Sequence, residues 1–401
     1  MITGMKWSLR LISVAGIGIF IHWTFSILLI FLFFFFLSAA DGDVRTALTG
    51  ILLIMGLFLC VVLHELGHAL CARRYGIGTR DITLLPIGGL ARLERMPTEP
   101  KQEFWIAVAG PAVNVVIAAL CFVLILAVHG AEALAFPVHE PGEIFILDGI
   151  PLAVLMWMNV ILVGFNALPA FPMDGGRVLR AILATRMQYH KATRAAATVG
   201  QGMALFFGLS GLLVLNPFLV FIAIFVFLGA QAEAHYAETR YALHGLKVRD
   251  AMLTHFRALG ENDTLGDAVD ELLAGSQQDF PILRNDEVIG LLTRHNLMQT
   301  LSDHDRNAPV TEGMIRTFET LSEDDELETL QEKLREGFTH TMPVMKDGRL
   351  TGLLTRENLA ELIMIHSALE ESGHGAQMRD ILHRGRQTAS GDDIHAPFIR
   401  K

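Results

Sequence analysis

His64-Glu65-Leu66-Gly67-His68 places two imidazoles four residues apart with a carboxylate beside the first. On a helix, positions i and i+4 share a face, so both rings can reach one metal ion while the Glu reaches a metal-bound water. The pentamer lies inside the apolar run ILLIMGLFLCVVLHELGHALCA. Ionisable side chains are costly at such a place, which makes them candidates for function. Two histidines do not complete a catalytic zinc site, which normally takes three protein ligands and one open position. Asp174 is the candidate third ligand, because Pro169, Pro172, Gly175 and Gly176 interrupt an apolar segment around it. A broken helix makes room for water and lets a carboxylate turn inward. Asn114 and Asn166 also occupy apolar surroundings. Either could donate to an oxyanion or join two helices by hydrogen bonds.

These residues need a scaffold, and the composition says which kind. The chain of 401 residues is 52% hydrophobic and 18% charged. Soluble domains carry about 25% charge. The long apolar runs crowd into residues 1–235, whereas 236–401 reads as charged and soluble. The net charge of −10 argues against nucleic acid as a partner. Cys60, Cys71 and Cys121 have neither knuckle nor disulfide spacing and read as packing residues.

A membrane span needs about 20 mostly apolar residues. Six segments are candidates: 22–38, 48–72, 103–128, 150–168 (continuing brokenly to 185), 197–215 and 217–233. With the N-terminus inside, Arg73, Arg74, Arg80, Arg92, Arg95, Lys101, Arg177, Arg180, Arg186, Lys191 and Arg194 all fall in cytoplasmic loops. Arg45 is alone on the other side, as the positive-inside rule expects for six spans with both termini inside. The run from Trp23 to Leu37 lacks a cleavage signature and reads as a retained span. Residues 79–95, TRDITLLPIGGLARLER, are too interrupted to span and read as β-structure at membrane depth. Such a segment can offer an edge for a substrate strand, with Ile82, Leu84, Gly88 and Gly89 as the expected contacts.

From 248 onward the sequence repeats at 62 residues. FPILRNDEVIGLLTRHNL (280–297) aligns without gaps with MPVMKDGRLTGLLTRENL (342–359). Each copy predicts two short strands around a turn, Asn285–Asp286 and Asp347–Gly348, followed by a helix. The expected organisation is a membrane domain at 1–235, a linker at 236–247, repeats at 248–303 and 310–366, and a tail at 367–401 with a short helix at 377–383.

HELGH on the second span, AGPAVN at 109–114 and NALPAFPMDGG at 166–176 together resemble the motifs of the site-2 proteases. The resemblance covers about residues 8–235. GIFIHWTF at 18–25 resembles the opening strand and span of the branch that carries CBS modules, and the 62-residue repeat resembles a CBS pair. It implies an α-helical membrane bundle with an embedded β segment, plus a soluble α/β pair. It further implies one Zn²⁺ held by His64, His68 and Asp174, Glu65 as catalytic base, and motif asparagines at Asn114 and Asn166. Single-span substrates such as anti-sigma factors or membrane-tethered regulators, a prokaryotic inner membrane and self-association through the CBS pair are the family's expectations. CBS clefts often hold adenine nucleotides. Here the ribose positions are Thr293/Asn296 and Thr355/Asn358, where Asn has one acceptor oxygen and a carboxylate would have two. The spans leave no room for a PDZ domain, so the CBS pair is the expected regulator.

A transporter or channel with a CBS regulator would share the six spans and the broken helix. It would not explain the zinc-type spacing. A catalytically silent scaffold would require both motif clusters to be relics.

Overall fold

The computed structural model describes residues 7–86, 88–97, 99–134, 151–330 and 341–371. The expected helix at 377–383 and most of the loop at 129–150 lie outside these residues. The chain divides into two units, Met1–Ala237 and Glu238–Lys401.

The first unit opens with a hairpin, β1 (Ser8–Val14) and β2 (Ile17–His22), turned by Ala15 and Gly16 with φ of 52° and 87°. Two consecutive positive φ values suit the natural twist of a two-residue hairpin. Helices α1 (Trp23–Ala39) and α2 (Val44–Arg74) follow. They form the crossover that a parallel strand pair requires, because β3 (Thr79–Leu85) then pairs parallel with β2. β4 (Gly88–Leu93) closes a sheet of order β1-β2-β3-β4. Ile17, Ile19, Ile82 and Leu84 from this sheet pack with Val62, Leu66 and Ala69 of α2. That contact lays the sheet against the helix carrying the histidine pair.

α3 (Pro100–His129), α4 (Pro151–Asn166), α5 (Asp174–Ala184), α6 (Tyr189–Leu213) and the part of α7 (Pro217–Leu243) up to Ala237 complete the unit. All six apolar segments are helical. By length and composition four can cross a membrane, namely α2, α3, α6 and α7, while α1 and α4 are shorter apolar helices of 17 and 16 residues. Phe31, Phe34, Leu52, Leu120 and Phe206 are exposed, whereas His64, His68, Asn114, Asn159, Asp174 and Arg180 are buried. Apolar outside and polar inside is the arrangement that lipid favours. The protein is an integral membrane protein. Residues 236–243, expected as linker, instead continue α7. Their sequence, YAETRYAL, is rich in good helix formers.

In the second unit each repeat forms a three-stranded sheet. The first comprises β5 (Leu259–Gly260), β6 (Phe280–Arg284) and β7 (Glu287–Leu292). The second comprises β8 (Leu321–Ser322), β9 (Met342–Lys346) and β10 (Arg349–Leu354). Both predicted turns are present with positive φ, at Asn285 and Asp286 and at Asp347 and Gly348. Leu253 bridges to Leu353, and Leu291 bridges to Ile315. These are the same contact seen from either repeat, since each pair shifts into the other by the repeat length. The last described helix runs from Arg356 to Glu371, so the segment expected as tail begins as helix.

Candidate metal centre

α2 reaches the centre of the first unit because α3 lets it approach. A Cβ on Gly67 would fall 2.8 Å from the Ala109 carbonyl oxygen. A Cβ on Gly110 would fall 2.2 Å from His68 Nε2 and 2.8 Å from His64 Nε2. Glycine at 110 therefore keeps open the space that both imidazoles face. Asp174 enters the same space from the first turn of α5, after the chain has left α4 and turned through residues 167–173.

Three ligand-type atoms converge there. Asp174 Oδ2 lies 3.2 Å from His64 Nε2 and 3.2 Å from His68 Nε2, and the two Nε2 atoms are 3.1 Å apart. The rings stand nearly perpendicular, at 83°, and all three side chains are buried. His68 Nδ1 donates to the Ile106 carbonyl at 2.6 Å. With that proton placed, neutral His68 presents an Nε2 lone pair to the cluster. Asp174 Oδ2 is buried and has no hydrogen-bond partner among the described residues. Lone pairs crowded together without donors repel unless a cation sits among them. Ligands about 2.0–2.1 Å from a tetrahedral zinc stand about 3.3 Å from one another, close to the observed separations. The residues fit Zn²⁺.

The remaining expected site residues divide. Glu65 follows His64 on α2 and meets β4, where a Cβ on Gly89 would fall 2.8 Å from Glu65 Cγ. Asn114 is fully buried, with Oδ1 2.5 Å from His64 Nδ1. It therefore sits across the ring from the nitrogen that faces Asp174, with its Nδ2 donating to Asn159, which is the helix-joining one of its two expected roles. Asn166 ends α4, half-buried and outside this hydrogen-bonded group. Ile82 and Leu84 need correction. They lie on β3, an interior strand, and are buried beneath α2. They were expected as contacts because the segment could offer a strand edge, but β4, with Gly88 and Gly89, is the strand that ends the sheet on this side. Asn159, unnoticed in the sequence, donates to the Leu155 carbonyl at 2.8 Å and accepts from Asn114 Nδ2 at 2.7 Å. A lone asparagine in an apolar span was the available signal.

In the second unit, Thr293 is buried and caps α8 (Arg294–Asp303), accepting from the Asn296 amide at 3.2 Å. Its hydroxyl donates to Asn296 Oδ1 at 3.1 Å. Thr355 and Asn358 repeat the arrangement, at 3.1 and 2.6 Å.

The model of peptidase family M50 matches residues 52–148 and 149–209, and that of the CBS domain matches 248–303 and 310–365. A zinc metalloprotease of Methanocaldococcus jannaschii, MJ0392, is 31% identical over 368 residues, which is 92% of this chain and 99% of the relative. The chain belongs to peptidase family M50, the site-2 proteases. The stage IV sporulation protein FB of Bacillus subtilis is 26% identical over 186 residues, 46% of this chain and 59% of that one. Among solved structures, the site-2 protease from M. jannaschii shares 37% identity, with a TM-score of 0.40 over 57% of this chain and 95% of its own. The protein is a membrane zinc metalloendopeptidase with a CBS pair.

Proposed function

We propose that this protease cuts within the transmembrane segments of membrane-tethered proteins, with His64, His68 and Asp174 as its zinc ligands and Glu65 as its base. The buried cluster of two imidazoles and one partnerless carboxylate oxygen carries this reading. Bound zinc supplies Lewis-acid polarisation of the scissile carbonyl and brings the pKa of a bound water towards about 7. Glu65 takes the proton from the attacking water and delivers it to the leaving amine nitrogen. Asn166 is the remaining asparagine for the developing oxyanion.

A helical peptide bond is shielded by its own hydrogen bonds, so the substrate must open before it is cut. β4 is the terminal strand of its sheet and passes beside Glu65. A substrate segment added to that edge would lie extended next to the base. Substrates with Gly or Pro near the cut open more cheaply, by about 1 kcal/mol for Gly and about 3 for Pro relative to Ala. The proposed substrates are single-span regulators such as anti-sigma factors, in a prokaryotic inner membrane with both protease termini cytoplasmic. The CBS pair is the proposed regulator and self-association surface, with an adenine nucleotide as its ligand near Thr293 and Thr355. Titration of ATP into the purified protein, wild type against Thr355→Val, tests that ligand, and equal binding by both would remove Thr355 from the site.

The deciding experiment is co-expression with single-span candidates. Glu65→Gln should retain about one zinc per chain and lose cleavage, whereas His68→Ala should lose the metal as well. Full cleavage by Glu65→Gln would remove the base from the mechanism.

A further inference from the structure

A chain of hydrogen bonds runs from a backbone carbonyl to the far side of His64, and its polarity can be assigned link by link. The Leu155 carbonyl can only accept, so the Asn159 atom facing it at 2.8 Å is the amide nitrogen. Asn159 Oδ1 then faces Asn114, which must present its own Nδ2, at 2.7 Å. That leaves Asn114 Oδ1 turned to His64 Nδ1, at 2.5 Å. An amide oxygen only accepts, so Nδ1 carries the proton and Nε2 keeps its lone pair for the space shared with His68 and Asp174. His68 reaches the same state in one step, through the Ile106 carbonyl.

We infer that Asn159 is a positioning residue: it holds Asn114 in one orientation and thereby fixes His64 as its Nδ1-protonated tautomer, ready to ligate metal. Asn114 and Asn159 are both fully buried, so water cannot substitute for either partner. Without Asn159, nothing in the chain distinguishes the two ends of the Asn114 amide. A flipped Asn114 would offer His64 a donor, drawing the proton to Nε2 and closing that atom to a metal. Outer partners of metal-bound histidines typically change metal affinity by about 10–100-fold. The inference rests on His64 being a zinc ligand, which loss of zinc in His64→Ala checks separately.

The test uses full-length, zinc-free protein carrying ¹⁵N-labelled histidine, with the His64 signals identified by their absence in His64→Ala. Wild type should show His64 as the single Nδ1-protonated tautomer. Asn159→Leu, close in volume, should shift His64 towards the Nε2-protonated form and weaken zinc binding about 10–100-fold. Asn159→Asp keeps an acceptor for Asn114 in either charge state, so it should preserve the tautomer and bind zinc more tightly than the Leu variant. An Nε2-protonated His64 in wild type overturns the inference without any variant needing to fold. So does an unchanged tautomer in folded Asn159→Leu, or an Asp variant indistinguishable from the Leu variant.

Discussion

His64, His68 and Asp174 form one buried ionisable cluster of the membrane unit, and Glu103 and Arg180, joined by the half-buried Glu233, form another. Both draw on α5, and both lean on α3. Arg180 Nε donates to Glu103 Oε1 at 2.7 Å, and its Nη1 donates to Glu233 Oε1 at 2.5 Å. Its guanidinium lies 5.0 Å from the ring centres of both Phe171 and Tyr189. Cation meets anion, and aromatic faces cover the remaining surface of the charge. The histidine cluster contains no permanent cation: with both imidazoles protonated at Nδ1, its Nε2 and Oδ2 atoms are acceptors facing acceptors around a space that Gly110 keeps open. Burial of charge alone therefore does not mark a site. A cluster that supplies its own counter-charge ties helices together, and one that lacks it waits for a ligand.

Substitutions can separate the two. The largest effect is expected from Gly110→Ala, whose Cβ falls 2.2 Å from His68 Nε2. Alanine favours a helix over glycine by about 1 kcal/mol, so the protein should fold while zinc content drops to background. Metal analysis beside an unfolding curve checks both halves of the statement. Zinc retained by folded Gly110→Ala would mean that the metal sits elsewhere.

Arg180→Met should show the reverse. Glu103 is 4% exposed and would be left without its counter-charge. Removing one partner of a buried ion pair costs about 3–5 kcal/mol. Denaturant or thermal unfolding should record that loss, while the folded fraction still binds about one zinc. Metal lost from folded Arg180→Met would show that the ionic cluster also serves the metal centre.

The smallest effect belongs to the soluble unit, where Glu328 accepts from Arg240 Nε at 2.7 Å and pairs with His244 Nδ1 at 2.7 Å. Burial raises the Glu328 pKa, but hydrogen bonds from His244 and Arg240 outweigh it and hold the carboxyl below its usual value of 4.5. A depressed carboxylate contributes stability above its unfolded pKa and loses it as pH falls through the folded one. Glu328→Gln should therefore cost at most about 1 kcal/mol at neutral pH, and the difference from wild type should vanish in acid. A constant difference down to pH 3 would show that the carboxylate charge is not the source.

The sequence alone determined the parts whose physics is local. HELGH spacing puts both imidazoles on one helix face, apolar length specifies spans, and the 62-residue repeat with its Asn-Asp and Asp-Gly turns specifies two matching hairpins. It also singled out Asp174, because prolines and glycines announce a broken helix in their own neighbourhood. Tertiary structure decided everything that depends on approach between distant segments. Gly110 matters because of where α3 passes the imidazoles, 42 residues beyond His68 in the chain. Asn114 lies behind His64, Ile82 and Leu84 face α2, and Asn159 reaches Asn114 across two helices. An asparagine in an apolar span must find a partner, and its sequence says so. Which partner it finds, and on which side of a histidine, is set only when the helices pack.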